Sequence, residues 1–217
     1  MMKYEKWNIE KFNHDTILVQ NGKVFYFDPY QIDMINMPRA DEIFISHHHQ
    51  DHCSPDDIEK IIKSDTLIIA TENCRPILDK FQQTKHFIKQ NEEFELDDFK
   101  LQTIPAYNIN KFRSPGQLFH PKEDGGVGYL VEFEDLWLYF AGDTDVIPEM
   151  AQLENIDIAC LPISGVYVMT VEEVKEAIAK ISAKIIIPMH YGVVAGDRSQ
   201  AEELKNTLPE QDIRILD

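Results

Sequence analysis

Residues 46–52 read Ser46-His47-His48-His49-Gln50-Asp51-His52. Four histidines and one aspartate fall within the six positions from His47 to His52. The segment follows a short apolar run at 42–46, of the kind that marks a buried strand. It precedes a stretch that opens like a helix, with Ser54 as N-cap, Pro55 at the first position, and Asp56 and Asp57 in the first turn. In an extended chain His47 and His49 point to the same side, because side chains alternate. Asp51 and His52 fall where the chain turns into the helix, so the segment offers two ligand sets in two directions. Neutral imidazole nitrogens and a carboxylate oxygen suit zinc, manganese or ferrous iron. One loop histidine is ordinary; the order His-x-His-x-Asp-His is what makes the signal specific.

Two later segments share the design. Residues 136–141 run into Gly142-Asp143-Thr144-Asp145, and residues 184–188 run into Met189-His190-Tyr191-Gly192. In both, an apolar strand delivers a ligand-type side chain into a glycine-containing turn, and a strand end holds such a side chain rigidly. Around these segments the pattern predicts a hairpin at Asn21-Gly22 between strands 16–20 and 23–27. Helices are predicted at 55–62, 72–81, 170–181 and 199–208, the third opened by a Thr170/Glu173 capping box. Further strands are predicted at 66–70, 86–89, 93–96, 100–104, 128–133, 156–161 and 213–216. Residues 105–126 carry three prolines and three glycines and read as a long loop, a type that is often functional in compact domains. With no repeat or linker in view, 1–217 reads as a single α+β domain, a sheet-based sandwich with helices outside.

Composition narrows the function. Hydrophobic residues make up 43% and charged residues 27% of the 217, near the globular average. The formal net charge is −17, from 38 acidic against 21 basic residues. Such a surface repels nucleic-acid phosphates and anionic membranes, so no nucleic-acid or membrane partner is expected. The three cysteines, Cys53, Cys74 and Cys160, are irregularly spaced and suggest neither a disulfide framework nor a thiolate zinc site. The N-terminus has no apolar stretch of a signal peptide, and the expected location is the cytoplasm. Gly125-Gly126-Val127-Gly128 lacks the lysine and following helix of a phosphate-binding loop and reads as a tight turn.

Taken together, His47-x-His49-x-Asp51-His52, Gly142-Asp143-Thr144 and a strand ending in His190 resemble the metallo-β-lactamase superfamily. Pro105-Ala106-Tyr107-Asn108, Phe119-His120-Pro121-Lys122 and Pro188-Met189-His190-Tyr191 look like the small stand-alone hydrolases of that superfamily, to which ascorbate-6-phosphate lactonase is distantly related. The resemblance implies a four-layer αββα sandwich and two divalent cations, zinc first, with manganese, ferrous iron or nickel as alternatives. It implies that His47 and His49 bind the first ion, that Asp51, His52 and His190 bind the second, and that Asp143 bridges them. Superfamily members usually add a third histidine to the first ion, from the loop before the Gly-Asp segment. Here that loop starts Pro105-Ala106-Tyr107-Asn108 without one, and His120 is assigned to the position. The alternative gives it to Asn108 or a water and leaves His120 to the substrate.

The expected activity is hydrolysis of an ester, lactone or amide bond in a small molecule by a hydroxide held between the two ions. Asp51 is the catalytic residue, orienting the hydroxide and taking its proton. The competing readings are a metal-dependent phosphodiesterase and a non-catalytic metal-binding module. Asp28 and Asp145 are candidate acceptors that fix histidine tautomers. Tyr107, Tyr167 and Tyr191 are candidate pocket residues. His48 is expected to turn away from the ligands, and His14 and His86 are read as structural. Substrate and oligomeric state are not written in the sequence.

Overall fold

The computed structural model describes residues 1–33 and 37–216. They fall into two compact units, Met1–Ile88 with Leu216, and Lys89–Ile215. Each is built on a seven-stranded sheet.

In the first unit the strands lie in chain order: β1 (Met2–Tyr4), β2 (Trp7–Lys11), β3 (Ile17–Asn21), β4 (Lys23–Phe27), β5 (Glu42–Ile45), β6 (Leu67–Thr71) and β7 (Thr84–Ile88). Strands β1 to β4 pair antiparallel, and β4 to β7 pair parallel. The hairpin forms where Asn21-Gly22 predicts it, with Gly22 at φ 78°. Parallel strands are buried on both faces and read as unbroken apolar runs, and all four residues of β5 are buried. Helix α1 (Pro55–Ile61) starts at Ser54, whose hydroxyl accepts from Asp57 N. Its Ile58 and Ile61 pack with Leu18, Tyr26, Ile43, Ile45 and Ile68 of the sheet. The helix expected at 72–81 is shorter. Glu72–Cys74 form a 3-10 turn, and α2 (Arg75–Leu78) is a single turn. Proline is tolerated only in a helix's first turn, so Pro76 forces a fresh start at Arg75.

The second unit runs β8 (Glu93–Leu96), β9 (Phe99–Pro105), β10 (Phe112–Ser114), β11 (Gln117–Leu118), β12 (Val127–Phe133), β13 (Leu136–Phe140), β14 (Ile156–Pro162), β15 (Ala183–Met189) and β16 (Asp212–Ile213). Strands β8, β9, β12 and β13 form an antiparallel meander, after which β13 to β16 continue in parallel. The long loop contains a small hairpin, β10–β11, that periodicity did not reveal; Gly116 turns it at φ 77°. Helices α3 (Val171–Lys180) and α4 (Arg198–Thr207) pack against each other, and both open with capping boxes. Gly128 has a packing reason: a Cβ there would sit 2.8 Å from the Ala141 carbonyl oxygen and 2.9 Å from that of Phe140. Only glycine lets β12 approach the exit of β13 so closely, just before Gly142-Asp143. Among the described residues no helix is long and apolar enough to cross a membrane.

Candidate metal centre

In both units the chemistry-bearing side chains leave the sheet at the carboxyl ends of parallel strands, where open α/β sheets place their ligands. In the first unit Asp28 follows β4, and Ser46 and His47 follow β5. Asp28 is fully buried and organises the group. Its Oδ1 accepts from Ser46 N at 2.7 Å, and its Oδ2 accepts from the Ser46 hydroxyl and from His52 Nδ1, the latter at 2.7 Å. The Ser46 oxygen, having donated its own proton, lies 3.0 Å from His47 Nδ1 and accepts from it. Both imidazoles therefore carry their proton on Nδ1, a tautomer set by the hydrogen bond at that nitrogen.

His47 Nε2 lies 3.1 Å from His49 Nδ1, so the two rings meet, though in a bend at residues 48–49 and not along the extended chain that alternation assumes. Beyond it the chain turns, with His52 N and Cys53 N both donating to the His49 carbonyl, at 3.0 and 2.8 Å. Asp51 Oδ2 lies 3.8 Å from His52 Nε2 and 3.2 Å from His14 Nε2. Asp28, His47 and His52 each offer a ligand-type atom within 4.8 Å of the others. His48 is half-buried, with its ring 6.5 Å from that of His47.

In the second unit Asp143 follows β13, Ser164 follows β14 and His190 follows β15. Asp143 Oδ2 lies 3.2 Å from His120 Nε2 and 3.1 Å from His190 Nε2. Both histidines again use Nδ1 on a protein oxygen: His120 on Asn108 Oδ1 at 3.1 Å, His190 on Ser164 Oγ at 3.2 Å. Asn108 is fixed in turn, with Nδ2 donating to the Tyr167 carbonyl at 3.0 Å and its backbone N–H to the His120 carbonyl at 2.7 Å. Asn108 thus contacts His120 through its side-chain oxygen, which also accepts from His120 N at 2.9 Å. Tyr167 packs its ring 6.4 Å from His190 and edge-on to Phe119 at 4.8 Å.

These donor atoms suit a transition-metal ion. Two ligands at ~2.0–2.1 Å on one tetrahedral ion lie about 3.3 Å apart. The His47–His49, His120–Asp143 and His190–Asp143 separations of 3.1, 3.2 and 3.1 Å fall close to that value. Imidazole paired with carboxylate, with no thiolate, fits zinc, manganese or iron.

Two sequence-based expectations need correction. Asp145 touches no imidazole; its Oδ2 accepts from Ile109 N at 2.6 Å and Asn110 N at 3.0 Å, and Lys111 Nζ lies 3.2 Å from its Oδ1. It shapes the loop that presents Asn108. His14, read as structural for want of ligand-like neighbours in sequence, meets Asp51 and sets its ring 5.5 Å from that of His52. Ser164 was missed altogether, since a serine in a Ser-Gly turn carries no mark of its tertiary partner.

Known proteins match this chain over most of its length. The sequence model described as "Beta-lactamase superfamily domain" matches residues 8–190. A UPF0173 metal-dependent hydrolase from Nanoarchaeum equitans is 25% identical over 211 residues, covering 96% of this chain and 94% of that protein. A crystal structure from Parabacteroides distasonis, provisionally named a metal-dependent hydrolase, is 34% identical, with a TM-score of 0.84, and covers 97% of this chain and 92% of that one. A provisionally named Zn-dependent hydrolase of the metallo-β-lactamase superfamily from Thermotoga maritima is 20% identical, with a TM-score of 0.60 over 92% of this chain and 84% of that one; it bears on the fold alone.

Proposed function

The chain belongs to the beta-lactamase superfamily domain family, and on that premise we propose that it is a metal-dependent hydrolase with two divalent cations, zinc foremost. His47, His49 and His120 hold the first ion, Asp51, His52 and His190 hold the second, and Asp143 is shared. The family match runs through both compact units and includes every one of these residues, so both units are taken as one functional domain. Bound there, the ions supply a water deprotonated near neutral pH and a Lewis acid for the scissile carbonyl.

The observation that carries this reading is the uniform use of Nδ1. His47, His52, His120 and His190 each commit Nδ1 to Ser46, Asp28, Asn108 or Ser164. Such partners fix tautomer and ring orientation at metal sites, and Nε2 is then the nitrogen presented for ligation. Asp51 orients the attacking water and accepts its proton on a carboxylate oxygen. The tyrosine ring of Tyr167 lines the His190 side.

A neutral organic substrate is favoured over a phosphodiester. Two lysines near these loops are already paired: Lys111 with Glu173 at 2.7 Å, and Lys122 with Glu149 at 2.7 Å. Large apolar side chains at Ile109, Phe112, Val166, Val193 and Val194 are 40–52% exposed on the loops flanking His120, Ser164 and His190. The substrate is a small ester, lactone or amide with an apolar portion. The three cysteines are unbridged and buried, in keeping with a reducing compartment such as the cytoplasm.

The test is zinc content measured together with turnover on a panel of carboxylic esters of increasing acyl length, lactones, amides and phosphodiesters. Two zinc ions per chain and hydrolysis of the apolar esters are expected, with both lost in His49→Ala. Full loading with no turnover on any class, or a His49→Ala variant that binds zinc as wild type does, overturns the reading.

A further inference from the structure

His14 is buried at 0% exposure in the turn between β2 and β3. Its backbone sits in the left-handed region at φ 57°. The turn is closed by Thr16 N donating to the Asn13 carbonyl at 3.2 Å and Phe12 N donating to that of Thr16 at 2.8 Å. Non-glycine residues are uncommon in this region, and asparagine, aspartate and histidine are the ones most often found there. Residues held in sparsely populated backbone regions collect at functional sites, so the side chain of this buried one is worth following. Among the described residues, the other fully buried non-glycine ones with positive φ are Asp28, at 42°, and His190, at 61°, both already part of the ligand groups.

The side chain supplies the second observation. His14 Nε2 lies 3.2 Å from Asp51 Oδ2, the same oxygen that stands 3.8 Å from His52 Nε2. The His14 ring meets the edge of the His52 ring, with an interplanar angle of 65°. The geometry points to His14 as a positioning residue of the metal centre: its Nε2, 3.2 Å from Asp51 Oδ2, pairs with that carboxylate and holds it beside His52. The inference rests on the proposed metal centre and deepens it. Asp51 reaches solvent, at 22% side-chain exposure, while its neighbour His52 is fully buried. It is also the most in need of an anchor, since it sits in the turn after His49 rather than at a strand end. A donor on Oδ2 would hold Asp51 to one rotamer and keep its carboxylate from swinging outward, so that it ligates and takes the proton from a single orientation.

The test uses the whole chain and zinc alone as the probe. Affinity is read by chelator competition, stoichiometry at saturating zinc, and the position of the His14 proton by nitrogen-15 spectroscopy of the zinc-loaded wild type. Removing a hydrogen-bond partner of a metal ligand costs 10–100-fold in affinity. His14→Ala is expected to weaken the Asp51-containing site by about that factor while still taking two zinc ions at saturation, and His14→Gln, which keeps an N–H donor, to recover most of the loss. In the wild type, Nε2 of His14 is expected to carry a proton with zinc bound. Unchanged zinc affinity in a folded His14→Ala chain overturns the proposal. So does loss of one ion at saturation, or an unprotonated, zinc-coordinated Nε2, since either makes His14 a ligand. If His14→Ala does not fold, the wild-type spectrum still decides. A wild type that binds no zinc at all contradicts the metal centre itself and is separable from these outcomes.

Discussion

A neutral imidazole has one donor and one acceptor nitrogen, and which is which depends on its neighbours. Four histidines of this chain resolve that choice identically, with Nδ1 on an oxygen of Ser46, Asp28, Asn108 or Ser164. Ser164 is the cleanest of these to remove, because its hydroxyl can be deleted with little change in volume. Ser164→Ala is expected to bind zinc about 10-fold more weakly through a less ordered His190, without loss of fold. Equal zinc affinity in the variant would show that the Nδ1 contact orders nothing. At this scale the ligand candidates were legible because His-x-His-x-Asp-His, Gly-Asp-Thr and the strand before His190 are local signals. Their supports were legible only in part. Asp28 was found because it ends a strand. The contact between Asn108 and His120 was not legible, and Asp145 was matched to the wrong partner, because a side chain's tertiary partner is not written in its sequence neighbours.

Among the elements, helix α3 does more than cover the sheet. Glu173 closes the α3 capping box on Thr170 N at 2.7 Å and also receives Lys111 Nζ at 2.7 Å and Asn110 Nδ2 at 2.7 Å. Lys111 reaches Asp145 as well, at 3.2 Å, so one carboxylate ties the helix start to the loop that carries Asn108. Burial alone would raise the Glu173 carboxyl; hydrogen bonds from Lys111, Thr170 and Asn110 outweigh it and bring the pKa down to about 2. The unfolded value is ~4.3, so the folded pKa is depressed. The stabilisation is therefore complete above about pH 4.3 and is lost as pH falls towards 2. Denaturant midpoints of wild type and Glu173→Gln should differ most near pH 6 and converge between about pH 4.3 and 2. A gap that stays constant through that window would mean the carboxylate charge contributes nothing. The helix itself was legible from its capping box. The β10–β11 hairpin within the long loop was not, since its strands are three and two residues long, too short for any periodicity to show. Helix α2 was overestimated because an apolar pattern carries past Pro76 while the backbone does not.

For the whole molecule, the family match at residues 8–190 and the two seven-stranded sheets agree with the α+β metallo-β-lactamase fold expected from the motif. The proposal of an uncharged, partly apolar substrate rests on the net charge of −17, the pairing of Lys111 and Lys122, and the half-exposed apolar side chains on the same loops. The motif does not decide it, because a fold of this kind hosts many reactions and the loops select among them. The proposed centre brings residues far apart in the chain to one pair of cations, and the direct measurement is anomalous diffraction at the zinc edge from crystals of the zinc-loaded protein. The predicted result is two peaks ~3.5–4 Å apart, one ligated by His47, His49 and His120, the other by Asp51, His52 and His190, with Asp143 on both. A map in which these imidazoles surround no anomalous peak, or in which zinc sits on other residues, would contradict it.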